Sequence, residues 1–405
     1  MTEKKVYKEG RLKSEASCED MGMIYNSEQQ IESTKLYKFG NPENPRIVVS
    51  MRDDGETNTL LPIVKKLKEG GDFCFSIFAD GPGAKTMADH LNAKECSDHE
   101  NILLEVANEV DGAALIIVSQ SSDSGIGMAL AATANVPVVA VEDFPGAVTV
   151  QDGGILVNNS PLLIPDWQCA MTEWSKNALL KLRPDFDPDK VVITGSPAFD
   201  NLDPVKKAEV KNTFRERHNI PDKDRVIVWV GQTGEADTES LKLFVKGLKS
   251  LSMDDYRLVI RRHPKDERSE ESLNSLTRDV SNHLLETNSE LTDEVRQAAD
   301  LVVTMFSTEG LKSVCEQTLT LLIMVPEFLE LSGYDKYSIP IAEDGSAAVV
   351  SEKDKMKQML KNLLFDTEFQ EQIREKMEKW KVDGKATERI VTLIKKIAES
   401  KQANV

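Results

Sequence analysis

The chain has 405 residues, 40% of them hydrophobic, which suits two domains of ordinary size with a buried core in each. Lysine and arginine total 50 against 68 for aspartate and glutamate, a formal net charge of −18. Such an acidic surface excludes a general binder of nucleic acid or anionic membrane, yet leaves room for a local basic pocket around a small phosphate ligand.

The cysteines, Cys18, Cys74, Cys96, Cys169 and Cys315, form no CxxC pair, and the five histidines are scattered. Neither a zinc site nor a disulfide framework is expected, and no metal or cofactor. The start, Met1-Thr2-Glu3-Lys4-Lys5, leads into a charged segment, and no apolar run approaches membrane-spanning length. The expectation is a reducing, cytoplasmic protein with no membrane span and no nucleic-acid partner.

Residues 1–44 are polar and acidic, without a sustained period, up to Gly40-Asn41-Pro42-Glu43-Asn44-Pro45. They predict a loosely ordered extension or a short element packed outside. Arg46–Met51 is a buried-strand run, followed by the polar loop Arg52–Thr57 and a helical pattern over Leu60–Lys68. Cys74–Phe78 is a strand that meets the turn Asp80-Gly81-Pro82-Gly83, and strands recur at Ala113–Val118 and Val136–Val141 around a helix at Gly125–Thr133. This alternation predicts a doubly wound parallel sheet.

Lys190–Thr194 is one more strand, and Gly195-Ser196-Pro197 followed by Asp203-Pro204 has the make-up of a hinge. Beyond Pro221 the pattern returns: strand Val226–Val230 ending at Gly231-Gln232-Thr233-Gly234, helix Thr238–Lys249, then strands Arg257–Ile260, Leu301–Thr304 and Leu321–Val325. From Lys353 to about Ser400 the chain is charged and helical, with Met356, Leu360, Leu363 and Leu364, then Ile390, Leu393 and Ile394, at helical spacing. The expected organisation is an extension over 1–44, a Rossmann-like domain over 45–195, a second over 196–352 and a helical segment over 353–405.

Two strand tips carry the chemistry. Arg261-Arg262-His263-Pro264 follows one strand, and Ser307-Thr308-Glu309 follows another and opens a helix. In an open α/β sheet the carboxyl ends of strands are where ligands bind. Two cations, an imidazole and the free N–H groups of a helix start suit a phosphorylated ligand, which points to a nucleotide diphosphate. For either motif alone, surface ion pairs and an ordinary helix cap are the competing account. The turn Gly231–Gly234 would let backbone N–H groups approach a phosphate or a base edge.

The series of strands, the hinge Val192-Ile193-Thr194-Gly195-Ser196-Pro197-Ala198-Phe199-Asp200-Asn201-Leu202, the His-Pro tip and the Ser-Thr helix start resemble GT-B-fold sugar-nucleotide enzymes. Two groups stand out: the UDP-N-acetylglucosamine 2-epimerases, whose TGNPxxDxL the hinge resembles, and the capsule-type glycosyltransferases with an HP motif and an S-[ST] motif. The likeness runs from about Pro45 to Pro326. Glu142 aligns with the glutamate of the epimerases' His-Val-Glu-Ala-Gly, although Ala140 replaces the histidine and Asp143 the alanine. Arg52 falls where those enzymes have the arginine of Gly-Thr-Arg-Pro-Glu, and Ser119–Ser124 where they have a Gly-Asp-Thr-Thr-like turn.

The resemblance implies a GT-B architecture: two Rossmann-like doubly wound parallel-sheet domains with a cleft between them, and C-terminal helices. It implies transfer of a sugar from a nucleotide-diphosphate sugar, UDP favoured, to a glycan or other acceptor hydroxyl, as in polysaccharide biosynthesis, and it allows a homodimer. Glu142 or Asp143 would be the general base, with Asp53 and Asp54 next in rank. His263 would favour departure of the diphosphate, held by Arg52, Gln232, Thr233, Arg261, Arg262, His263, Ser307, Thr308 and Glu309. In both groups a glutamate about five residues after the first serine would hold the ribose hydroxyls; here that residue is Lys312. Glu309 or Glu316 could substitute, or simply pair with the lysine. Two alternatives stay open: a 2-epimerase acting on the same donor, and a catalytically silent binding or scaffold protein.

Overall fold

A computed structural model describes residues 5–8, 11–14, 45–51, 54–79, 94–95, 110, 112–120, 136–145, 165–202, 204–263, 266–285, 292–333 and 339–402. The chain divides into two compact units, Met1–Asp200 with Gly384–Val405, and Asn201–Asp383. Arg52, Asp53, the turn at 80–83, Ser121–Ser124 and the helix expected at 125–133 lie outside the described residues, as do Asp203 and Pro264.

Within the expected extension, β1 (Lys5–Lys8) and β2 (Arg11–Ser14) pair antiparallel. The sheet of the first unit then takes in β3 (Arg46–Met51), β4 (Cys74–Ala79), β5 (Lys94–Glu95), β6 (Leu115–Gln120), β7 (Val138–Glu142), β8 (Trp167–Ala170) and β9 (Val191–Ile193). Its order is β5-β4-β3-β6-β7-β8-β9, parallel throughout. The central strands read as unbroken apolar runs because both faces are covered. Helix α1 (Asp54–Gly70) buries Leu60, Ile63, Val64 and Leu67, the i, i+3, i+4, i+7 stripe of an amphipathic helix. Strand β8 and helix α2 (Glu173–Leu182) fall where no element was expected. Trp167-Gln168-Cys169-Ala170 lacks the β-branched run that marks the other strands.

The second unit contains α3 (Pro204–Arg217), β10 (Arg225–Val230), α4 (Gly234–Lys249), β11 (Tyr256–Arg261), α5 (Glu270–Thr277), α6 (Thr292–Ala298), β12 (Leu301–Thr304), α7 (Thr308–Cys315), β13 (Leu319–Ile323), α8 (Pro326–Ser332), α9 (Pro340–Glu343), β14 (Ala348–Val350), α10 (Met356–Phe365) and α11 (Thr367–Met377). Its five strands are parallel in the order β11-β10-β12-β13-β14. One face packs Val226, Val228, Val259 and Val302 against Phe214, Val295 and Ala298. On β10, Trp229 stacks on Phe244 of α4 at 5.4 Å. Strand β13 begins two residues earlier than expected: Gln317, in the left-handed region at φ 61, turns the chain straight from α7 into Leu319, which pairs with Leu301. Among the described residues no helix is long and apolar enough to cross a membrane.

The C-terminal helical segment divides. Helices α10 and α11 belong to the second unit, whereas α12 (Ala386–Gln402) returns to the first. There Ile390, Val391, Ile394 and Ile397 join the core formed by α1 and strands β3, β6 and β7. The residues read as a hinge receive it. Both carboxylate oxygens of Asp200 accept from the start of α12, from Ala386 N at 2.8 Å and Thr387 N at 2.7 Å. Arg389 donates to the Thr194 carbonyl at 3.1 Å. Gly195 has φ 82 and comes so close that an added Cβ would sit 3.1 Å from Ala386 Cβ, so only glycine suits both the backbone and the contact. Asp200→Ala is expected to cost about 1–2 kcal/mol, the upper part of the range for a lost N-cap. Urea denaturation of the full chain checks it, and an unchanged midpoint would refute the capping role.

Candidate functional site

In the second unit β10 and β12 are neighbours, but the chain leaves β10 for β11 on one side before returning to β12 on the other. Their carboxyl ends therefore flank a topological switch point, the place where open α/β sheets bind ligands. Thr304 Oγ1 ties the two ends together by donating to the Val230 carbonyl at 2.8 Å. Beyond β10 the turn at 231–234 is fixed from two sides: Gly231 N donates to the Arg261 carbonyl at 2.8 Å, and Gln232 N donates to Asp237 Oδ1 at 2.6 Å. Thr233 is the N-cap of α4 by backbone geometry, but its hydroxyl makes no capping hydrogen bond. Beyond β12, Ser307 caps α7, its Oγ accepting from Glu309 N at 3.2 Å, and Thr308 is the first residue of that helix. Two helices thus open at adjacent strand ends, with the positive ends of both dipoles at this edge of the sheet.

The tip after β11 divides its two arginines. Arg261 Nη2 donates to Thr292 Oγ1, at the start of α6, at 3.0 Å. Arg262 folds back on its own loop: Nε donates to Asp266 Oδ2 and Nη2 to the Asp266 carbonyl, both at 3.0 Å, and Nη2 also donates to the Arg268 carbonyl. His263 is partly buried and its carbonyl accepts from Asp266 N at 2.9 Å. Arg268 binds Asp266 at 2.8 Å and Asp237 at 2.6 Å. Burial works against the Asp266 anion, but hydrogen bonds from Arg268 and then Arg262 outweigh it and hold its pKa at about 2. At Asp237 burial prevails and pushes the carboxyl upward, against the pull of Gln232 N–H and Arg268.

The first turn of α7 rests on a second charge network. Arg296, 0% exposed, forks onto Glu316 with Nε–Oε2 at 2.9 Å and Nη2–Oε1 at 3.0 Å. It also binds Glu309, and Asp293 at 2.6 Å. Burial opposes the Arg296 charge, but Glu316, Glu309 and Asp293 together raise its pKa further above the ordinary range. Lys312 Nζ binds Glu309 Oε1 at 2.8 Å. Glu309 therefore pairs with the lysine, while Glu316 faces Arg296 and Gln297. Beneath α7, Lys207 donates to the Glu316 carbonyl at 2.7 Å and to Thr318 Oγ1 at 2.6 Å, and burial brings its pKa down to about 8.

In the first unit Glu142 ends β7 and is 1% exposed, its Oε2 accepting from Met171 N at 2.8 Å. That bond joins the ends of β7 and β8. Asp143 follows it, also buried. Asp54 opens α1. The structure thus brings Gln232, Thr233, Arg261, Arg262, His263, Ser307, Thr308 and Glu309 to the carboxyl edge of one sheet. Glu142 and Asp143 stand at the corresponding edge of the other. Sequence reasoning missed Asp237, Asp266, Arg268, Thr292 and Arg296. Asp237 had a signal, an acidic residue in the first turn after a glycine-flanked loop, whereas Arg296 had none.

No family profile matches this chain, and no curated protein sequence does. Solved structures do. The chain is similar to the UDP-GlcNAc 2-epimerase of Neisseria meningitidis bound to UDP-GlcNAc, with a TM-score of 0.60 and 17% identity over 87% of this chain and 100% of that one. It is similar to MnaA of S. aureus, solved with UDP, with a TM-score of 0.63 and 17% identity over 86% and 95% of the two chains. The wall teichoic acid polymerase TagF matches with a TM-score of 0.53 and 16% identity over 89% and 90%. Together with the two parallel sheets, these likenesses identify the fold as GT-B.

Proposed function

We propose that this GT-B chain is a sugar-nucleotide enzyme whose second unit binds the donor's diphosphate at the β10/β12 switch point. The observation that carries the reading is that α4 and α7 open at these adjacent strand ends beside the Arg261–His263 tip. Two helix N-termini supply N–H donors and positive dipole ends to a diphosphate, and Arg261 and His263 supply side-chain donors. The finer reading is glycosyl transfer. An acceptor hydroxyl attacks the anomeric carbon, its proton passes to a carboxylate, and the sugar–diphosphate bond breaks with its electron pair leaving on the diphosphate. Glu142 and Asp143 are the candidates for that carboxylate, and His263 for a donor to the departing phosphate.

A 2-epimerase is the second reading. It is favoured by the full-length likeness to the N. meningitidis enzyme and weakened by Ala140 and Asp143, which replace the neighbours of the epimerases' glutamate. Acceptor, homodimer and a cytoplasmic setting belong to the same proposal.

Titration with UDP, CDP and GDP tests binding, and incubation with the corresponding sugar nucleotides tests the reaction. Nucleotide release that requires an acceptor supports transfer, and inversion at C2 supports epimerisation. Binding without either leaves a silent binder. Arg261→Ala is expected to weaken nucleotide binding about 10- to 100-fold, the worth of one hydrogen bond to a charged group. Unaltered affinity in both Arg261→Ala and His263→Ala would remove this edge of the sheet as the phosphate site.

A further inference from the structure

We propose that Arg268, acting through Asp237 and Asp266, is the positioning residue of the nucleotide site: its guanidinium locks the turn after β10 to the loop after β11. The proposal deepens the reading of the second unit as a nucleotide site and rests on it. Asp237 is 0% exposed, and a buried carboxylate is tolerable only when its lone pairs are satisfied. One oxygen takes Gln232 N–H at 2.6 Å, and the other takes Arg268 Nη2 at 2.6 Å. The same guanidinium reaches Asp266, with Nε to Oδ1 at 2.9 Å and Nη2 to Oδ2 at 2.8 Å. Asp266 in turn takes Nε of Arg262 at 3.0 Å. A single planar fork therefore spans two carboxylates, Asp237 in the first turn of α4 and Asp266 in the loop after β11.

The turn leaves no slack for this arrangement to drift. At Gly231 an added Cβ would meet the Arg261 carbonyl, Asp237 Oδ2 and Trp229 Nε1, each at 3.3 Å. The backbone of the turn thus lies directly against the carboxylate that Arg268 holds. Because Gln232 N–H points inward to Asp237, the N–H groups from Thr233 onward, at the start of α4, are the ones directed to a phosphate. The clamp also divides the labour of the neighbouring arginines. Arg262 belongs to the clamp, and Arg261 to the ligand side. Arg268 itself touches no ligand in this scheme. A lysine in its place would keep the charge but lose the fork, since one ammonium nitrogen cannot reproduce the paired Nε and Nη2 bonds to Asp266 while also reaching Asp237.

The test uses the full-length protein and three variants, Arg268→Ala, Arg268→Lys and Asp237→Asn, the last keeping the side chain's shape. Amide hydrogen exchange over the segment containing Gln232 is read in the free protein, and the Kd for UDP is read on folded material. All three variants are expected to exchange that segment at least about tenfold faster and to bind UDP about tenfold more weakly, the loss of a charged hydrogen bond. Exchange elsewhere in the sheet should stay unchanged. A purely structural role would lower the melting temperature while leaving the Kd of the folded protein alone. Full retention of protection and affinity in Arg268→Lys would overturn the proposal. If the wild type binds no nucleoside diphosphate, the site reading fails, and unchanged exchange in the variants then separately decides against the clamp.

Discussion

Removing the last helix, by ending the chain at Asp383, is expected to unfold the first unit and leave the protein insoluble or sensitive to protease over residues 45–200. Helix α12 contributes Ile390, Val391, Ile394 and Ile397 to the core that Leu60, Ile63, Val64 and Leu67 of α1 share with Val49, Ile117 and Val139 of the sheet. Fully burying each such side chain is worth about 1.5–3 kcal/mol, so the four together rival the entire stability of an ordinary domain, about 5–15 kcal/mol. A point version avoids truncation. Ile394→Asp puts a charge at a position of 0% exposure and should act in the same direction. Limited proteolysis with mass spectrometry locates the lost structure. A chain ending at Asp383 that resists cleavage in residues 45–200 as the full chain does would mean that α12 is dispensable.

That dependence could not be read from the sequence, although its parts could. The spacing of Ile390, Leu393 and Ile394 announces a buried stripe. Nothing in a helical stripe, however, names its partner, which here lies more than three hundred residues earlier in the chain. The motif Thr194–Asp200 was legible as a place where the chain leaves a strand. Gly195-Ser196-Pro197 has the make-up of a hinge, and the structure adds the reason for the aspartate: Asp200 caps a helix from the other end of the chain. The central strands were legible because parallel strands buried on both faces leave continuous runs such as Ile47-Val48-Val49 and Val226-Ile227-Val228. Strand β8 was not, since a short strand with Gln168 at its second position resembles a loop, and its place is set by pairing with β7.

At the candidate site the sequence names the charged strand tips but does not apportion their charges. Arg261 and Arg262 look equivalent as letters. One closes strand β11 and turns to Thr292, while the next lies past the strand and folds onto Asp266. Which way each of two adjacent cations turns depends on partners that its own letters do not name, here Thr292 for Arg261 and, for Arg262, the carboxylate of Asp266 that Arg268 ties to Asp237 in α4. The lysine at position 312 was visible as a departure from the resembled enzymes, but its meaning was not. It neutralises Glu309, which lies in the first turn of α7, where an uncompensated carboxylate would repel an anionic ligand.

Arg296→Ala is expected to destabilise the second unit by about 3–5 kcal/mol, because it strands Glu316, whose side chain is 1% exposed, without its forked partner. Arg296→Lys keeps a charge but loses the fork, so an intermediate loss of about 1–3 kcal/mol is expected. Urea denaturation followed through the fluorescence of Trp229 and Trp380, both in this unit, measures each. A midpoint for Arg296→Ala equal to that of the wild type would refute the network's contribution. The pair also permits a sharper separation of stability from function. Replacing both partners by apolar residues, Arg296→Met with Glu316→Leu, removes two buried charges at once, and such exchanges are often neutral or stabilising. Arg296 additionally holds Glu309 and Asp293, so the double variant should fold yet release the first turn of α7. UDP affinity lower than wild type in a double variant of wild-type stability would assign the network to positioning Ser307 and Thr308 for phosphate. Wild-type affinity in that variant would assign it to folding alone.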